Sequence, residues 1–419
     1  MTTASPVWHP FTQHAVQPEA IEIATAEGAW LQTPSGRRIF DAVSSWWVVT
    51  HGHRHPAIIA AIKRQAERLD QVIFAGFTHE PAEELARQLV AITPPGLDYV
   101  FFSDSGSTSV EVALKMALGF WRNRGEQRSR ILALEGAYHG DTIGGMSVGA
   151  RGVFNAPYDP LLFDVARLPF PSPGHEQETL DALEAACRQE AVAALIVEPL
   201  ILGAGGMLIY PPAVLGEMKR ICEAHGVLLI ADEVMTGWGR TGALFACEHA
   251  AIVPDIACYS KGLTGGSLPL AVTLCRADIF DAHYSTDRSR TFFHSSSYTA
   301  NPIACAAAVA NLKIWQDEPV RERIAALAAS HSRGLDRFRD DRRFGNVRQI
   351  GSIAALDLVT GDAGYMASLG PRLYQNFLAR DLLVRPLGNT IYLMPPYCSQ
   401  PDEIAQVYEA IAAIADELG

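Results

Sequence analysis

Between residues 99 and 275 the chain alternates between two hydrophobic patterns. Short apolar runs at 99–103, 130–135, 192–197, 227–231, 256–260 and 270–275 predict strands. Helical patterns fall between several of them, at 107–123, 177–190 and 212–225. The runs Val227-Leu-Leu-Ile-Ala and Ile256-Ala-Cys-Tyr are continuous, as expected for parallel strands covered on both faces. Strand–helix alternation predicts an α/β fold, with a mostly parallel sheet between two layers of helices.

The flanks read differently. Helical patterns run from Pro56 to Leu69, from Pro81 to Ile92, and from Pro302 to about residue 337. Ile21-Glu-Ile-Ala24 and Arg38-Ile-Phe40 are β-like, as are Gly351–Leu358 and the run from Thr390 to Pro396. Segments 366–380 and 401–418 predict helices. The expected organisation is a large α/β domain over 56–310. A smaller α+β domain would be assembled from both chain ends, 1–55 and 311–419.

Composition narrows the class. Of 419 residues 48% are hydrophobic and 19% charged, so a substantial core is expected and disorder is not. A net charge of −12 argues against nucleic acid or an anionic membrane as the main partner. The seven cysteines are scattered without a CxxC pair and read as free thiols of a reducing compartment. The N-terminus, Met1-Thr-Thr-Ala-Ser-Pro, lacks a basic segment followed by an apolar one. No leader is expected from it, and a cytoplasmic location follows.

Two strand ends carry the candidate chemistry. The first apolar run ends in Asp232 and the second in Lys261. Ligands of open α/β sheets bind at that edge. A lysine forms a Schiff base with an aldehyde cofactor, and a carboxylate keeps a pyridine nitrogen protonated, which together suit pyridoxal 5′-phosphate. A structural ion pair is the plain alternative for any lone Asp/Lys couple. The neighbouring strand ends weigh against it. Phe101-Phe-Ser-Asp-Ser-Gly106-Ser107 opens a helix whose free N–H groups suit a phosphate, although the same residues also make an ordinary helix cap. Tyr138, in Tyr-His-Gly-Asp141, could stack on a flat ring. Glu198-Pro is followed by Gly203-Ala-Gly-Gly206, where backbone could approach a ligand or simply turn. His51, His53 and His55 invite a metal reading, but Gly52 and Pro56 break the strand that would align them, so no metal is expected. Arg385 suits a carboxylate through its bidentate fork. No GxGxxG follows an early strand, which disfavours a dinucleotide dehydrogenase.

Taken in order, Asp104-Ser-Gly-Ser107, Tyr138-His-Gly-Asp141, Glu198-Pro199, Ala231-Asp-Glu-Val234, Gly239-Arg-Thr-Gly242 and Ser260-Lys-Gly262 resemble the class III (ω-type) aminotransferases. These belong to the fold-type I pyridoxal-phosphate enzymes, and the resemblance covers nearly the whole chain. It implies a seven-stranded, mostly parallel sheet. Trp8-His-Pro-Phe-Thr12, Ser44-Ser-Trp-Trp47, Gly203-Ala-Gly-Gly-Met207, Leu244–His249, Arg385-Pro386 and Ile391-Tyr-Leu-Met-Pro-Pro396 resemble one sub-family in particular. That sub-family transfers an amino group from S-adenosyl-L-methionine to 8-amino-7-oxononanoate in biotin biosynthesis.

The resemblance implies roles. Lys261 would carry the cofactor and shuttle protons, Asp232 would pair with the pyridine nitrogen, and Tyr138 would cover the ring. Gly106 and Ser107 would hold the phosphate, with Val234 beside the cofactor. Ser296 and Ser297 would reach the phosphate of a partner subunit, so the implied assembly is a homodimer with shared active sites. Trp46, Trp47, Ser295, Tyr392, Phe11 and Arg385 would contact substrate, Arg385 at its carboxylate. Two departures stand out. Phe11 occupies a position usually held by tyrosine, and Ser295-Ser-Ser297 replaces a more usual Gly-Pro-Thr run. The first leaves another amino donor, such as lysine, in play. Many ω-aminotransferases carry glutamate where this chain has Ala204, which fits a donor other than glutamate. The competing readings are an ω-aminotransferase using pyruvate, an aminomutase or decarboxylase on the same scaffold, and a non-enzymatic binding protein.

Overall fold

A computed structural model describes residues 5–17, 20–189, 191–361, 364 and 366–418. Of the segment read above for a leader, residues 1–4 lie outside the described residues.

Seven strands form the central sheet: β1 (Tyr99–Ser103), β2 (Arg130–Leu134), β3 (Ala166–Leu168), β4 (Val192–Val197), β5 (Leu228–Asp232), β6 (Ile256–Tyr259) and β7 (Ala271–Cys275). Their spatial order is β1-β7-β6-β5-β4-β2-β3. β7 runs antiparallel to both neighbours, and the other pairs are parallel. The carboxyl ends of β1, β2, β4, β5 and β6 therefore share one edge. Every residue of β4 and β5 is buried, which explains their unbroken apolar runs. The expected α/β fold with a mostly parallel seven-stranded sheet is the fold observed. β3 was not predicted, since three residues carry too little periodicity to register.

The helix α1 (Gly106–Asn123) crosses the sheet. Ser105 caps it through a reciprocal box with Thr108, and Val110, Ala113, Ala117 and Phe120 bury its apolar face. The two helices after Pro302 are α2 (Pro302–Asp317) and α3 (Val320–Asp336). α2 serves two cores: Ala304 and Ala308 pack with the central sheet, while Ala307 and Ile314 pack with the flanking layer.

Both chain ends build that flanking layer. The strand Arg38–Asp41 pairs in parallel with Leu382–Leu383, joining residues more than three hundred positions apart in sequence. A three-stranded antiparallel sheet comprises Phe344–Ile350, Ile353–Leu358 and Thr390–Leu393. Ile21–Ala24 is not a strand; the first strand is Thr25–Glu27, paired with Trp30–Gln32. Gly28 turns that hairpin with φ +55°, and the pairing on either side fixes its register. Among the described residues no helix is long and apolar enough to cross a membrane.

His331 on α3 is fully buried, with Nδ1 2.9 Å from the Tyr408 hydroxyl of the helix Pro401–Leu418. Burial pushes this imidazole from 6.5 down to about 3. The unfolded chain binds a proton below pH 6.5 that the folded chain refuses, so this histidine removes stability as pH falls through that window. Urea unfolding of the protein and of His331→Gln at pH 7.5 and 5.5 checks the sign. The wild type should lose about 1.4 kcal/mol more than the variant between the two pH values. An equal loss in both would mean that His331 stays ionisable in the fold.

Candidate active site

Five loops at the carboxyl edge of the sheet converge. Ser105–Ser107 follow β1, Tyr138–Asp141 follow β2, and Glu198 follows β4. Asp232 ends β5, and Lys261 stands two residues beyond β6. They enclose a cavity of about 200 Å³ between Lys261, Asp232, Tyr138, Gly106, Ser107 and Val234. Sequence spacing alone could not show that these segments meet. Parallel strand direction brings them together.

Asp232 is buried, and its carboxylate is held at both oxygens. Oδ1 accepts the Val234 N–H at 3.1 Å, and Oδ2 lies 2.7 Å from His139 Nδ1. His139 Nε2 is buried without a hydrogen-bond partner among the described residues. Glu198 ties two loops together: one oxygen accepts the Tyr138 N–H and the other the Gly203 N–H, each at 2.9 Å. Burial raises its carboxyl to about 7. The amine of Lys261 is lowered from 10.5 to about 8, first by burial, with Asp232 and Glu198 opposing that shift. Burial also raises the Tyr138 hydroxyl, helped by the neighbouring Asp141 carboxylate.

The phosphate-suited corner is a cradle of close backbone. Gly140 has φ +108°, and a Cβ there would lie 2.0 Å from Ser107 Oγ. Only glycine admits the Ser107 side chain, whose hydroxyl accepts the Asp141 N–H at 3.2 Å. The free N–H groups at the start of α1 open into the same corner.

A second cavity, of about 360 Å³, continues from Lys261 and Tyr138. Phe11, Trp46, Phe154, Ala204 and Tyr392 wall it, and Arg385 stands at its side. Phe11 meets Trp46 edge-on at 5.5 Å and Phe154 at 6.0 Å. The Arg385 guanidinium lies over the Trp46 ring at 4.9 Å, and the Lys261 amine over Trp47 at 5.1 Å. Trp47 in turn donates its indole N–H to the Tyr392 hydroxyl at 2.9 Å.

Both tryptophans sit on an unusual backbone. Ser44, Ser45, Trp46 and Trp47 have φ of 51°, 46°, 73° and 73°, a left-handed turn of four non-glycine residues. Each such residue costs on the order of 1 kcal/mol. Buried Asp41 offsets this by accepting the Ser45 N–H at 2.9 Å and the Ser45 hydroxyl at 2.8 Å. The Ser44 hydroxyl donates to the Met394 carbonyl, and buried Arg240 donates to the carbonyls of Trp47 and Val49.

Lys261, Asp232, Tyr138, Gly106, Ser107 and Val234 thus meet at one cavity, and Phe11, Trp46, Trp47, Tyr392 and Arg385 line the next. Ser295, Ser296 and Ser297 do not join either. They form a partly exposed turn in which the Ser297 carbonyl accepts from Gln71. The three histidines have separate partners: His53 pairs with Asp41 and His55 with Glu318, while the His51 ring packs edge-on against Trp315 and His55. Sequence reasoning gave no role to His139, Glu198, Arg240 or Phe154. The first three stand in motifs already noted, and position on the shared strand edge could have nominated His139 and Glu198. Phe154 follows no motif and carries no such signal.

The donor set fits pyridoxal phosphate. A carboxylate faces the cavity for the pyridine nitrogen, a helix start and Ser107 suit the phosphate, and the buried amine suits the aldehyde. The sequence profile of the family described as "Aminotransferase class-III" matches residues 11–415. The chain is 49% identical to the adenosylmethionine-8-amino-7-oxononanoate aminotransferase of Synechococcus elongatus, over 98% of this chain and 99% of that one. It is similar to the crystal structure of the enzyme of the same name from Methanocaldococcus jannaschii, with TM-score 0.94, 34% identity, and 98% and 97% of the two chains covered. An amine transaminase from an uncultivated Pseudomonas species, solved in its pyridoxal-phosphate-bound form, gives TM-score 0.94 and 33% identity over 99% of both chains.

The depressed amine gives a direct test. In apoprotein, labelling of Lys261 by trinitrobenzenesulfonate, read by peptide mapping, should have its midpoint near pH 8 and not near 10.5. Glu198→Gln removes a charge that favours the ammonium, so its midpoint should fall further. A midpoint that rises in Glu198→Gln would contradict this electrostatic account.

Proposed function

The chain belongs to the class-III aminotransferases, and on that premise we propose that it transfers an amino group from S-adenosyl-L-methionine to 8-amino-7-oxononanoate. The product is 7,8-diaminononanoate, an intermediate of biotin biosynthesis. The enzyme is a pyridoxal-phosphate-dependent transaminase. The observation that carries the substrate reading is the mostly apolar cavity that Lys261 shares with Arg385, with Asp141 also on its wall. No ion pair or hydrogen bond engages Arg385 among the described residues, which leaves its fork open to a substrate carboxylate. The oxononanoate has a carboxylate several methylenes from its ketone, which suits a mostly apolar cavity that holds both the lysine amine and a guanidinium.

Bound pyridoxal phosphate supplies an electron sink that lets a proton leave the carbon bearing the amino group. The chain's residues do the rest. Lys261 would hold the cofactor, and its amine, which burial makes easier to deprotonate, would take that proton at Nζ and pass it to the carbon that carried the aldehyde. Asp232 would favour a proton on the pyridine nitrogen, and His139 holds the carboxylate that would do so. Tyr138 and Val234 would flank the cofactor ring, while Gly106, Ser107 and the start of α1 would hold the phosphate. Trp46, Trp47, Phe11 and Tyr392 line the channel with aromatic surface. The two substrates use the site in turn, in a ping-pong order. Ala204, where many ω-aminotransferases carry glutamate, contributes only a methyl group to the wall. That supports a donor other than glutamate, and the relatives' names support adenosylmethionine.

The active unit in this reading is a cytoplasmic homodimer. Ser295, Ser296 and Ser297 lie outside both cavities of their own chain, and exposed Phe293 and Tyr298 flank them. Apolar exposure beside a hydroxyl-bearing turn is what a partner subunit would cover. Ser296 and Ser297 would then complete the partner's phosphate site, with Ser295 at the edge of its substrate channel. Five of the seven cysteines are buried and all are free, which suits a reducing compartment.

A donor screen with 8-amino-7-oxononanoate as acceptor tests the proposal. Adenosylmethionine should support turnover, and lysine, alanine and glutamate should not. Lys261→Ala should lose both turnover and the visible absorbance of the bound cofactor. Arg385→Ala should lose roughly 1.5–3 kcal/mol of acceptor interaction, about 10- to 150-fold in the acceptor KM, with little change in the donor half-reaction. Equal loss in both half-reactions would make Arg385 structural.

Subunit mixing tests the dimer. Lys261→Ala and Ser297→Asp should each be inactive alone. Refolded together they should recover about a quarter of wild-type activity, because each mixed dimer keeps one intact site. No recovery would place the cofactor site within one chain.

A further inference from the structure

The turn that carries Lys261 is held from behind by a side chain with no part in the reaction so far. Asn311 on α2 is fully buried. Its amide nitrogen donates to the carbonyls of Gly262 and Leu263, each at 3.0 Å. These are the two residues that follow the lysine. Lys261 itself has φ +47°, a conformation that a residue with a side chain adopts only when its surroundings impose it.

The surroundings leave the turn no slack. A Cβ on Gly262 would lie 2.7 Å from Trp238 Cβ and 2.9 Å from Thr50 Cγ2. The Asn311 amide is also committed in one orientation. Its nitrogen has two N–H groups, and both point at main-chain carbonyls. Its oxygen, near the buried His51 ring, is buried without a hydrogen-bond partner among the described residues. Burial pushes His51 down to about 3, with the neighbouring His55 adding to the shift, so that ring is neutral. No other acceptor among the described residues competes for the two N–H groups of Asn311.

We infer that Asn311 is a positioning residue that clamps the backbone after Lys261 and so fixes where the lysine amine can reach. The inference rests on the reading of Lys261 as the cofactor lysine. The amine must return to the same place in both half-reactions, at the end of a flexible four-carbon stem. Fixing the two peptide groups next to its root narrows that search, and a misplacement of about 1 Å costs ~10²-fold in rate. The effect belongs to proton movement, which both substrates share, and not to the binding of either one.

The test uses holoenzyme carrying Asn311→Leu, which fills the space without a donor, and Asn311→Ser, which is smaller and able to make one bond at most. Three quantities are compared with wild type, each per cofactor-loaded site: the pH midpoint of the visible absorbance, kcat, and KM for both substrates. The expected result is a shifted absorbance midpoint and a fall in kcat of roughly 10-fold or more, with both KM values within about twofold. Asn311→Ser should show the smaller change. If activity falls only in proportion to lost protein or lost cofactor, with midpoint and kcat per loaded site unchanged, Asn311 merely packs and the inference is wrong. A change confined to one substrate's KM would overturn it as well. Lys261→Ala serves as the control for the underlying reading. If that variant keeps the visible absorbance, the lysine assignment fails independently of Asn311.

Discussion

Everything at this site depends on an amine that burial makes easier to deprotonate. In water the Lys261 ammonium would be strongly hydrated and a poor nucleophile. At the end of β6 it faces Trp47, the Glu198 loop and the carboxyl edge of the sheet, and its affinity for a proton falls to about 8. Two carboxylates pull in the other direction, and neither forms a close ion pair with it among the described residues. Asp232 gives its oxygens to His139 and to the Val234 N–H, and Glu198 gives its own to two backbone N–H groups. Those commitments keep the acids from capturing the base. The same lysine in a tight buried salt bridge would stay charged and inert.

The second constraint is mechanical. The left-handed turn at Ser44–Trp47 puts two indoles where ordinary backbone would not. One lies beside the lysine amine and the other beneath the Arg385 guanidinium, so a single strained segment joins the reacting end of the channel to its charged wall. Asp41, Arg240 and the strand Thr390–Leu393 hold it, each from a different part of the chain. Strain of this kind survives only where the surroundings over-determine it. Here the constraints come from the central sheet and from the flanking layer together, which is why the channel forms at their junction.

Much of this was legible in the sequence. The runs that became β1, β2, β4, β5, β6 and β7 were apolar enough to read within a residue or two, because strands covered on both faces exclude polar residues. The placement of Asp232 and Lys261 at neighbouring strand ends followed from that reading plus the direction of parallel strands. The motif resemblance supplied the cofactor and the family. The failures were local. Ile21–Ala24 looked like a strand because β-branched residues alternate there, yet pairing with Trp30–Gln32 selected Thr25–Glu27. β3 and the two-residue strand Leu382–Leu383 were too short to leave a period.

The sequence by itself determined six of the seven strands of the central sheet, the chemistry at its edge and the identity of the groups that could act there. Each of those is written in the residue types and in the two periods of the backbone, which need no distant partner to be read. Tertiary structure decided the rest. It alone set the His139–Asp232 contact, the Glu198 bridge, the left-handed path of Ser44–Trp47 and the grip of Asn311 on the lysine turn. These depend on residues tens to hundreds of positions apart meeting at hydrogen-bond distance, and on conformations that local preference opposes. No local pattern records such a meeting, because the free energy that fixes it comes from packing and not from propensity.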